Sequence, residues 1–351
     1  MTTARHDPAT APGALRSVAV LLNDRAAADP AMREALLQLR ARGHRVTAAL
    51  PLEPGEAVAM ARDAVRQGAD IVVAAGGDGT LNEVVNGVVE SGCLPHCAVA
   101  VVPYGTANDF AAMCGIDPDE PARALALALE NEPVAIDVGR MDDRLFINVA
   151  SGGFGAQVTA ETSPEAKQML GGFAYFLKGL ASVKNLTARP VEVEAPGTWW
   201  QGPALALSVG NGRQAGGGFQ VCPGALLDDG LLDVVIVPEV GTEKLLALAR
   251  DLLRLGRDSG FEQVVTFRTP RLEVRAPRGL QFNLDGEPVR GERFRFEVLA
   301  RLLPFCLPAS APLTRGGVVF RQRSRTDAAT ATRTAAGRVL SRKKRPADGR
   351  R

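Results

Sequence analysis

Short apolar runs alternate with amphipathic stretches over residues 17–140, and this alternation limits the possible folds more than any other feature of the chain. The runs 70-DIVVAAGG-77 and 98-AVAVVP-103 predict strands, whereas 55-GEAVAMARDAVRQG-68 has the apolar spacing of a helix. Strands that alternate with helices pair in parallel through right-handed crossovers. We therefore predict an α/β domain at residues 15–140, with a doubly wound parallel sheet whose ligands lie outside the carboxyl ends of the strands.

The pattern changes near residue 134, where runs typical of strands begin to dominate. Examples are 204-ALALSVG-210 and 231-LLDVVIV-237. Helical patterns interrupt these runs only at residues 164–185 and 242–257. Many strands with alternating side chains predict an antiparallel sandwich or barrel, and we predict a C-terminal β-sandwich domain at residues 141–310. The last apolar run, 302-LLPFCLP-308, is predicted to return to the first domain.

The C-terminal end of the chain is strongly basic. Residues 315–351 contain twelve Lys or Arg against Asp327 and Asp348, a net charge of +10, and since the whole chain is +2, residues 1–314 carry −8. A segment that is poor in apolar residues and rich in charge of one sign predicts a disordered tail. Three interpretations of this tail stay open: contact with an anionic membrane, contact with nucleic acid, or no partner. We predict the membrane surface and no nucleic acid partner.

Several simple features bear on the location of the protein. No stretch approaches 18 uninterrupted apolar residues, and the N-terminal 1-MTTARHDPATAPGALR-16 lacks the apolar core of a secretory signal. The five cysteines are scattered, and 93-CLPHC-97 has no second pair to complete a structural zinc site. These features predict a reduced, cytoplasmic protein.

The stretch 75-AGGDGTLNEVVNG-87 places three glycines around a single carboxylate, directly after a predicted buried strand. Glycines there let backbone N–H groups converge on an anion, and the helix N-terminus adds roughly half a positive charge. We predict Thr80 as the N-cap of this helix, with Glu83 completing a capping box. Asp78 would repel a phosphate unless Mg²⁺ lies between them, so the loop suits a metal-bound nucleotide. The alternative is a glycine-rich turn capped by Asp78.

A second polar loop, 103-PYGTANDF-110, follows the next predicted strand. Gly105 and Thr106 can face the same crevice as the first loop, and Asn108 and Asp109 are predicted to cap the helix that follows. Two such loops on adjacent strands predict a phosphate cradle, and the alternative is a pair of ordinary βα turns. The motif GxxxxGK[ST] is absent from the sequence, so the chain is not a P-loop enzyme.

Together these motifs resemble the diacylglycerol kinase catalytic superfamily, which includes diacylglycerol, sphingosine and ceramide kinases. GGDGTLNE and PYGTANDFA carry the resemblance in the first domain. In the second, 148-NVASGGFGAQVTAET-162, 210-GNGRQAGGGFQVCPGALLDDGLLD-233 and 282-FNLDGEPV-289 extend it to the bacterial YegS-type lipid kinases, over roughly residues 15–310. The combination is specific, whereas GGDGT alone also occurs in NAD kinases. The resemblance implies an ATP-binding α/β domain, a β-sandwich domain, and transfer of the γ-phosphate to a lipid hydroxyl.

The resemblance also implies nucleotide contacts in the two loops. The matching positions are Gly77, Asp78, Gly79, Thr80, Leu81, Asn82, Glu83 and Thr106. The family uses a further threonine beyond the second strand, where this sequence has Pro51. Proline has no hydroxyl donor, so that contact is lost or supplied by another group.

A Mg²⁺ site in the second domain, or alternatively a Ca²⁺ site, is implied at 226-LLDDGL-231. The matching ligands are the backbone carbonyl oxygens of Leu226 and Leu231 and the carboxylate of Asp229. A carboxylate combined with backbone oxygens suits a hard cation. The alternative is a plain Asp-Asp-Gly turn between strands.

The Asp-Gly-Glu at residues 285–287 supplies the candidate for acid–base chemistry. Phosphoryl transfer leaves the protein mainly positioning and charge neutralisation, plus one group that takes the hydroxyl proton. In the resembling enzymes this motif provides the proton acceptor. We assign that role to Glu287, with Asp285 as its rival or as a partner that orients the hydroxyl.

Three hypotheses about function follow. The first is a lipid kinase that acts on a lipid of the phosphatidylglycerol or diacylglycerol class, with peripheral contact to the inner face of the membrane. The second is an NAD kinase-like enzyme, although 107-ANDF-110 does not reproduce the nicotinamide-binding motif of that family. The third is a non-catalytic membrane-binding module, suggested by the basic tail and by Pro51. We predict the first, and the sequence gives no prediction of the oligomeric state.

Overall fold

The structure of the protein is a computed structural model, which describes residues 15–117, 120–153, 187–241, 243–244, 246 and 264–314. The helical pattern predicted at 164–185 and the basic tail predicted at 315–351 lie outside the described residues, as does most of the pattern at 242–257. Within the described residues, no helix is long and apolar enough to cross a lipid bilayer.

The N-terminal region alternates strands and helices as the sequence predicts. Its strands are β1 (Ser17–Leu22), β2 (Arg45–Ala49), β3 (Ile71–Gly76) and β4 (Ala98–Pro103). Its helices are α1 (Asp24–Ala28), α2 (Pro30–Ala41), α3 (Glu56–Arg66), α4 (Asp78–Glu90), α5 (Asp109–Cys114) and α6 (Pro121–Glu130). Strands β3 and β4 are buried along their whole length, as expected of parallel strands that are covered on both faces.

The four strands form a parallel sheet in the order β4-β3-β1-β2. The chain moves outward from β1 to β2 and then returns across β1 to β3 and β4, so right-handed crossovers place helices on both faces. Contacts between α3 and α4, and between α2 and α6, agree with these two helical layers. This doubly wound order puts the carboxyl ends of β1 and β3 side by side, where ligands bind in open α/β sheets.

The C-terminal region is built from antiparallel strands. They are β5 (Val134–Met141), β6 (Arg144–Phe146), β7 (Val149–Gly153), β8 (Arg189–Ala195), β9 (Thr198–Gly210), β10 (Gln214–Ala215), β11 (Phe219–Gln220), β12 (Leu232–Pro238), β13 (Val265–Thr269), β14 (Arg271–Leu284) and β15 (Glu287–Phe305). Strands β9 and β14 each pair with β8 along their first part and with β7 near their end, so these four strands close on themselves. The core they enclose includes Phe282, whose ring contacts the rings of Phe294 and Phe296 edge to face.

The last strand joins the two regions. Phe305 of β15 pairs in parallel with Val99 of β4, and the Cys306 N–H donates a hydrogen bond of 2.8 Å to the Val99 carbonyl. Leu303 and Phe305 belong to the core of the N-terminal region. This confirms the prediction that the final apolar run returns to the first domain.

Candidate active site

Helix α4 begins earlier than predicted. Its N-cap is Gly77 and its first residue is Asp78, so Thr80 lies inside the first turn and is not the N-cap. The predicted capping box is also wrong, because the Glu83 Oε1 accepts a hydrogen bond of 3.2 Å from the Gly55 N–H before α3. The first turn of α4 therefore has no side-chain cap. Its N–H groups point toward the crevice at the carboxyl ends of the strands, which is favourable for an anion.

The glycines of the two predicted loops allow the loops to touch. A Cβ added to Gly77 would lie 3.0 Å from the Cα of Gly105, and a Cβ on Gly105 would collide with Gly77 and with the Asn108 side chain. The Tyr104 N–H also donates to the Gly76 carbonyl at 2.9 Å. Around Gly79, by contrast, no described atom lies within 4 Å of an added Cβ. The loops pack together at their bases, and the start of α4 stays open.

Asp78 links three parts of the site. Its Oδ2 accepts a hydrogen bond from the Asp109 N–H at 2.9 Å, and its Oδ1 accepts from the Phe110 N–H at 3.0 Å and from the Asn148 Nδ2 at 3.0 Å. The carboxylate thus satisfies the first N–H groups of α5 and contacts the start of the C-terminal region. Asp78 is therefore a structural anchor as well as a candidate nucleotide contact.

Asp285 lies in the two-residue turn between β14 and β15. Asp285 and Gly286 both have positive φ, 46° and 109°, which is the geometry of a type I′ hairpin and the reason that Asp-Gly suits this turn. The Asp285 Oδ2 accepts from the Ile147 N–H at 2.7 Å and from the Asn82 Nδ2 at 3.0 Å. The Oδ1 accepts from the N–H groups of Asn148 at 3.0 Å and Val149 at 3.3 Å. These four bonds fix the hairpin against α4 and against the chain that leads into β7.

The protonation of Asp285 reflects two opposing effects. Burial raises the pKa of this carboxyl to about 6, and the nearby charge of Asp78 acts in the same direction. The hydrogen bonds from Ile147, Asn82 and Asn148 lower the pKa and limit the shift. Each oxygen of the ionised Asp285 carboxylate already accepts two hydrogen bonds, so its lone pairs are directed at protein N–H groups and not at the position of a substrate.

Glu287 has a different environment. It is the first residue of β15, its side chain is 73% exposed, and its Oε2 lies 3.3 Å from the Arg144 Nη1. An exposed ion pair of this kind contributes little to stability, so the carboxylate can leave it for another partner. Glu287 is thus the member of the Asp-Gly-Glu turn that is free to move.

The remaining predicted nucleotide contacts fall in different environments. Thr106 is exposed in the second loop, and the Thr80 side chain lies against Gly76. The side chain of Leu81 is only 1% exposed and packs in the core, so only its backbone is near the crevice. The Asn82 Nδ2 donates to the Leu145 carbonyl at 3.1 Å as well as to Asp285. Asn82 therefore joins the two regions.

A cavity of about 230 Å³ lies between the two regions. Its lining residues include Asp78, Asp109, Asp285, Asn148 and Ser151. Sequence reasoning assigned no ligand-binding role to Asn148, Ser151 or Asp109. The sequence features that could have indicated such a role were the motif 148-NVASGG-153 for Asn148 and Ser151, and the position of Asp109 in a polar loop. In the fold Asp109 is 4% exposed and accepts from the N–H groups of Gly217 and Gly218 at 2.9 and 2.6 Å.

The Asp-Asp-Gly loop lies apart from this cavity. The Asp229 side chain is 2% exposed, its Oδ2 is 3.5 Å from the Arg268 Nη1, and its Oδ1 accepts from the Leu231 N–H at 3.0 Å. Burial raises the pKa of nearby Asp233 to about 6, although Arg268 opposes this shift. Among the described residues, no group of three or more His, Cys, Asp or Glu side chains is arranged to hold a metal. A cation here would depend on the carbonyl oxygens of Leu226 and Leu231.

We expect Asp285 to make folding stability depend on pH. Its pKa in the folded protein, about 6, exceeds the ordinary value of 3.8, so the folded protein binds this proton more tightly than the unfolded chain. The stabilising contribution is complete below about pH 4 and is lost as the pH rises through about 6. The free energy of unfolding in urea is measured across this range for wild type and for Asp285→Asn. The stability of wild type relative to the variant should fall as the pH rises from about 4 through about 6. A constant difference between the two proteins would contradict the assignment.

Two families match consecutive parts of the chain. The diacylglycerol kinase catalytic domain matches residues 17–141, and the YegS C-terminal NAD kinase beta sandwich-like domain matches residues 148–307. The two matches correspond to the parallel α/β region and the antiparallel region described above. The chain is therefore a kinase, a phosphotransferase that uses an alcohol group as acceptor.

Relatives of similar length agree with these matches. A protein of Stenotrophomonas maltophilia named "Probable lipid kinase YegS-like" is 41% identical over 306 residues, covering 85% of this chain and 98% of the relative. A protein of the same name from Pseudomonas putida is 43% identical over 298 residues, covering 85% of this chain and 97% of the relative. The chain belongs to the family of YegS-like lipid kinases.

A solved structure supports the fold independently. The crystal structure of a diacylglycerol kinase from Bacillus anthracis superposes with a TM-score of 0.64, at 20% sequence identity. The likeness covers 84% of this chain and 98% of that structure, so both regions and the connection between them are shared.

Proposed function

We propose that this protein transfers the γ-phosphate of ATP to a hydroxyl of a membrane lipid of the phosphatidylglycerol or diacylglycerol class. The observation that carries the proposal is the contact between the start of α4 and the Asp-Gly-Glu turn, made by the Asn82 Nδ2 and the Asp285 Oδ2 at 3.0 Å. This contact supports the proposal because it joins the helix that would bind the phosphates to the turn that would supply the proton acceptor. Phosphoryl transfer requires this proximity, because its catalysis rests mainly on positioning and electrostatics.

The nucleotide phosphates would lie at the open start of α4. Gly79 leaves space above the first turn, and the N–H groups of that turn favour an anion. Asp78 fits a Mg²⁺ ion in this position, since its Oδ2 accepts a single hydrogen bond, from Asp109, among the described residues and keeps capacity for a ligand bond. The ion would neutralise charge on the phosphates. Exposed Thr106 and the first turn from Gly77 to Glu83 would contact the rest of the nucleotide.

Glu287 is proposed as the proton acceptor and Asp285 as the residue that positions it. The oxygens of Asp285 are saturated by four N–H donors, whereas Glu287 is exposed and, within the described residues, is held only by Arg144. A lipid hydroxyl that approaches from the surface can displace this ion pair. The rigid turn at Asp285 would then keep Glu287 at a fixed distance from α4.

A divalent cation at the Asp-Asp-Gly loop would have a stabilising role, with Asp229, Leu226 and Leu231 supplying oxygen ligands. Burial raises the pKa of Asp137, and repulsion from Asp229 and Asp228 adds to the shift. This pattern indicates excess negative charge around the loop. A hard cation that accepts carboxylate and carbonyl oxygens would relieve it.

The proposal is tested by measuring ADP release with different acceptors. We expect release to depend on vesicles that contain phosphatidylglycerol or diacylglycerol and to stay at background with NAD⁺ or with no acceptor. Release that rises only with NAD⁺ would indicate the soluble-substrate alternative. Absence of release with every acceptor would favour a non-catalytic membrane-binding module.

We also expect deletion of residues 315–351 to weaken binding to anionic vesicles. The segment carries +10, whereas the rest of the chain carries −8 and is repelled by an anionic surface. Each basic residue near the surface contributes on the order of 1 kcal/mol, screened over about 8–10 Å at physiological salt. Vesicle cosedimentation of the full-length chain should fall steeply with salt, while turnover of a short-chain soluble lipid should change little on deletion. Equal vesicle binding by both proteins would contradict a peripheral role for the tail at the inner membrane face.

A further inference from the structure

Two buried polar atoms of residues that line the cavity have no hydrogen-bond partner in the part of the chain that the structure describes. Asn148 is 4% exposed and Ser151 is 3% exposed, and both line the cavity of about 230 Å³. Within the described residues, neither the Asn148 Oδ1 nor the Ser151 Oγ has a hydrogen-bond partner. Buried polar atoms in folded proteins nearly always form hydrogen bonds. Two such atoms without partners at the same cavity therefore suggest that a ligand or a water molecule binds there.

The orientation of the Asn148 amide is fixed by its neighbour. Its Nδ2 donates to the Asp78 Oδ1 at 3.0 Å, and an ionised carboxylate can only accept. The reversed amide would place two acceptor oxygens against each other. The unpaired atom of Asn148 is therefore its oxygen, and any partner must donate a hydrogen bond to it.

Ser151 belongs to a polar row across three strands. In register, Ser151 of β7 lies opposite Asn283 of β14 on one side and Ser208 of β9 on the other. Directly paired residues point to the same face of a sheet. Asn283 also lines the cavity, whereas Ser208 does not contribute to its lining. The row thus begins at the cavity and continues into the sheet.

We propose that Asn148 and Ser151 form a subsite that holds a second hydroxyl of the acceptor, next to the hydroxyl that receives the phosphate. The inference rests on the proposed function and adds specificity-determining residues to it. A neutral hydroxyl matches the hydrogen-bonding needs of both atoms, because it can donate to the Asn148 Oδ1 and accept from the Ser151 hydroxyl. An anionic group does not fit, since carboxylates of Asp78, Asp109 and Asp285 line the same cavity.

Such a subsite discriminates between acceptors by whether they carry a hydroxyl that can pair with the Asn148 Oδ1 and the Ser151 Oγ. When a ligand lacks the matching hydroxyl, the two protein atoms stay buried and unpaired, and the loss in affinity exceeds that of an exposed hydrogen bond. The subsite favours acceptors with two neighbouring hydroxyls over acceptors with one.

The test compares two soluble acceptors that differ by a single group. One is hexylglycerol, with two neighbouring hydroxyls, and the other is hexylglycerol whose secondary hydroxyl is methylated. Binding of each to the full-length chain is measured by ligand-observed NMR for wild type, Ser151→Ala and Ser208→Ala. Ser208→Ala is the matched control, because it removes the same hydroxyl from the same polar row at a residue outside the cavity lining.

We expect wild type to bind the diol more tightly than the ether and Ser151→Ala to reduce this preference about five- to tenfold. Ser208→Ala should keep the wild-type preference. A wild-type preference near one, or an unchanged preference in Ser151→Ala, would overturn the subsite and leave water as its occupant. Because binding is measured without turnover, selective binding of the diol by a protein that phosphorylates no lipid would contradict the kinase proposal and not the subsite.

Discussion

A Glu287→Gln variant should lose roughly 10²–10⁴ of the wild-type turnover with a lipid acceptor, the usual contribution of a positioned proton acceptor. The amide is close in size to the carboxylate but cannot take the hydroxyl proton. The side chain is 73% exposed and its only partner among the described residues is Arg144, so the free energy of unfolding should hardly change. The KM for ATP should also stay near the wild-type value, because the proposed role of Glu287 concerns the acceptor and not the nucleotide.

The control for this variant is Glu292→Gln. Glu292 is an exposed glutamate on the same strand, β15, so the substitution makes the same charge change a short distance away. We expect wild-type turnover from the control. Full turnover by Glu287→Gln would show that the proton acceptor is another group. Asp285→Asn should behave differently from both, since it leaves backbone N–H donors unpaired and lowers stability together with turnover.

Asp78→Asn should lower turnover by roughly 10²–10³, the range for loss of one preorganised electrostatic group. The amide removes the charge that would hold Mg²⁺ against the phosphates. It also turns an NH₂ group toward one of the donors that now bond to the carboxylate, the N–H groups of Asp109 and Phe110 and the Asn148 amide. We therefore expect the variant to fold but to lose about 1–3 kcal/mol of unfolding free energy.

The effect of Asp78→Asn is measured by kinetics at varied Mg²⁺ and by urea unfolding. Asp24→Asn is the matched control, because Asp24 is the exposed first residue of α1 and has the same position in its helix. The control should match wild type in both measurements. Turnover near the wild-type value with unchanged Mg²⁺ dependence in Asp78→Asn would contradict a role at the phosphates.

The strands near the site could be predicted because their sequences reflect their surroundings. β3 and β4 are continuous apolar runs, as required of central parallel strands, and each was predicted within a residue or two of its observed ends. The return of the chain to the first domain at Phe305 could also be predicted, because an apolar run at the end of a domain is expected to be buried in a hydrophobic core. These features depend on local composition.

The start of α4 could not be predicted in the same way. A carboxylate in the first turn ordinarily interacts with its own helix, but Asp78 bonds to the N–H groups that begin α5. Glu83 likewise bonds to Gly55, which is 28 residues away. Tertiary contacts of this kind compete with local capping, and nothing in the spacing of the sequence reports them.

The hydrogen bonds around Asp285 could not be predicted from the sequence either. Its partner Ile147 is 138 residues away and Asn82 is 203 residues away, so the contacts exist only after both regions have folded. Sequence motifs singled out Asp285, Glu287 and Asn82 separately. The structure adds that Asp285 accepts four hydrogen bonds while Glu287 is exposed beside Arg144, and this difference is the reason that we propose Glu287 as the proton acceptor.

Phosphorylation of a lipid can be detected by following the γ-phosphate of ATP itself. The full-length chain is incubated with ATP labelled at the γ-phosphate and with vesicles of phosphatidylglycerol or diacylglycerol, and the mixture is then extracted with organic solvent. We predict label in the organic phase as a phosphorylated lipid for wild type and for Glu292→Gln, and almost none for Glu287→Gln. Label that stays in the aqueous phase with wild type, as inorganic phosphate or as unreacted ATP, would contradict the account.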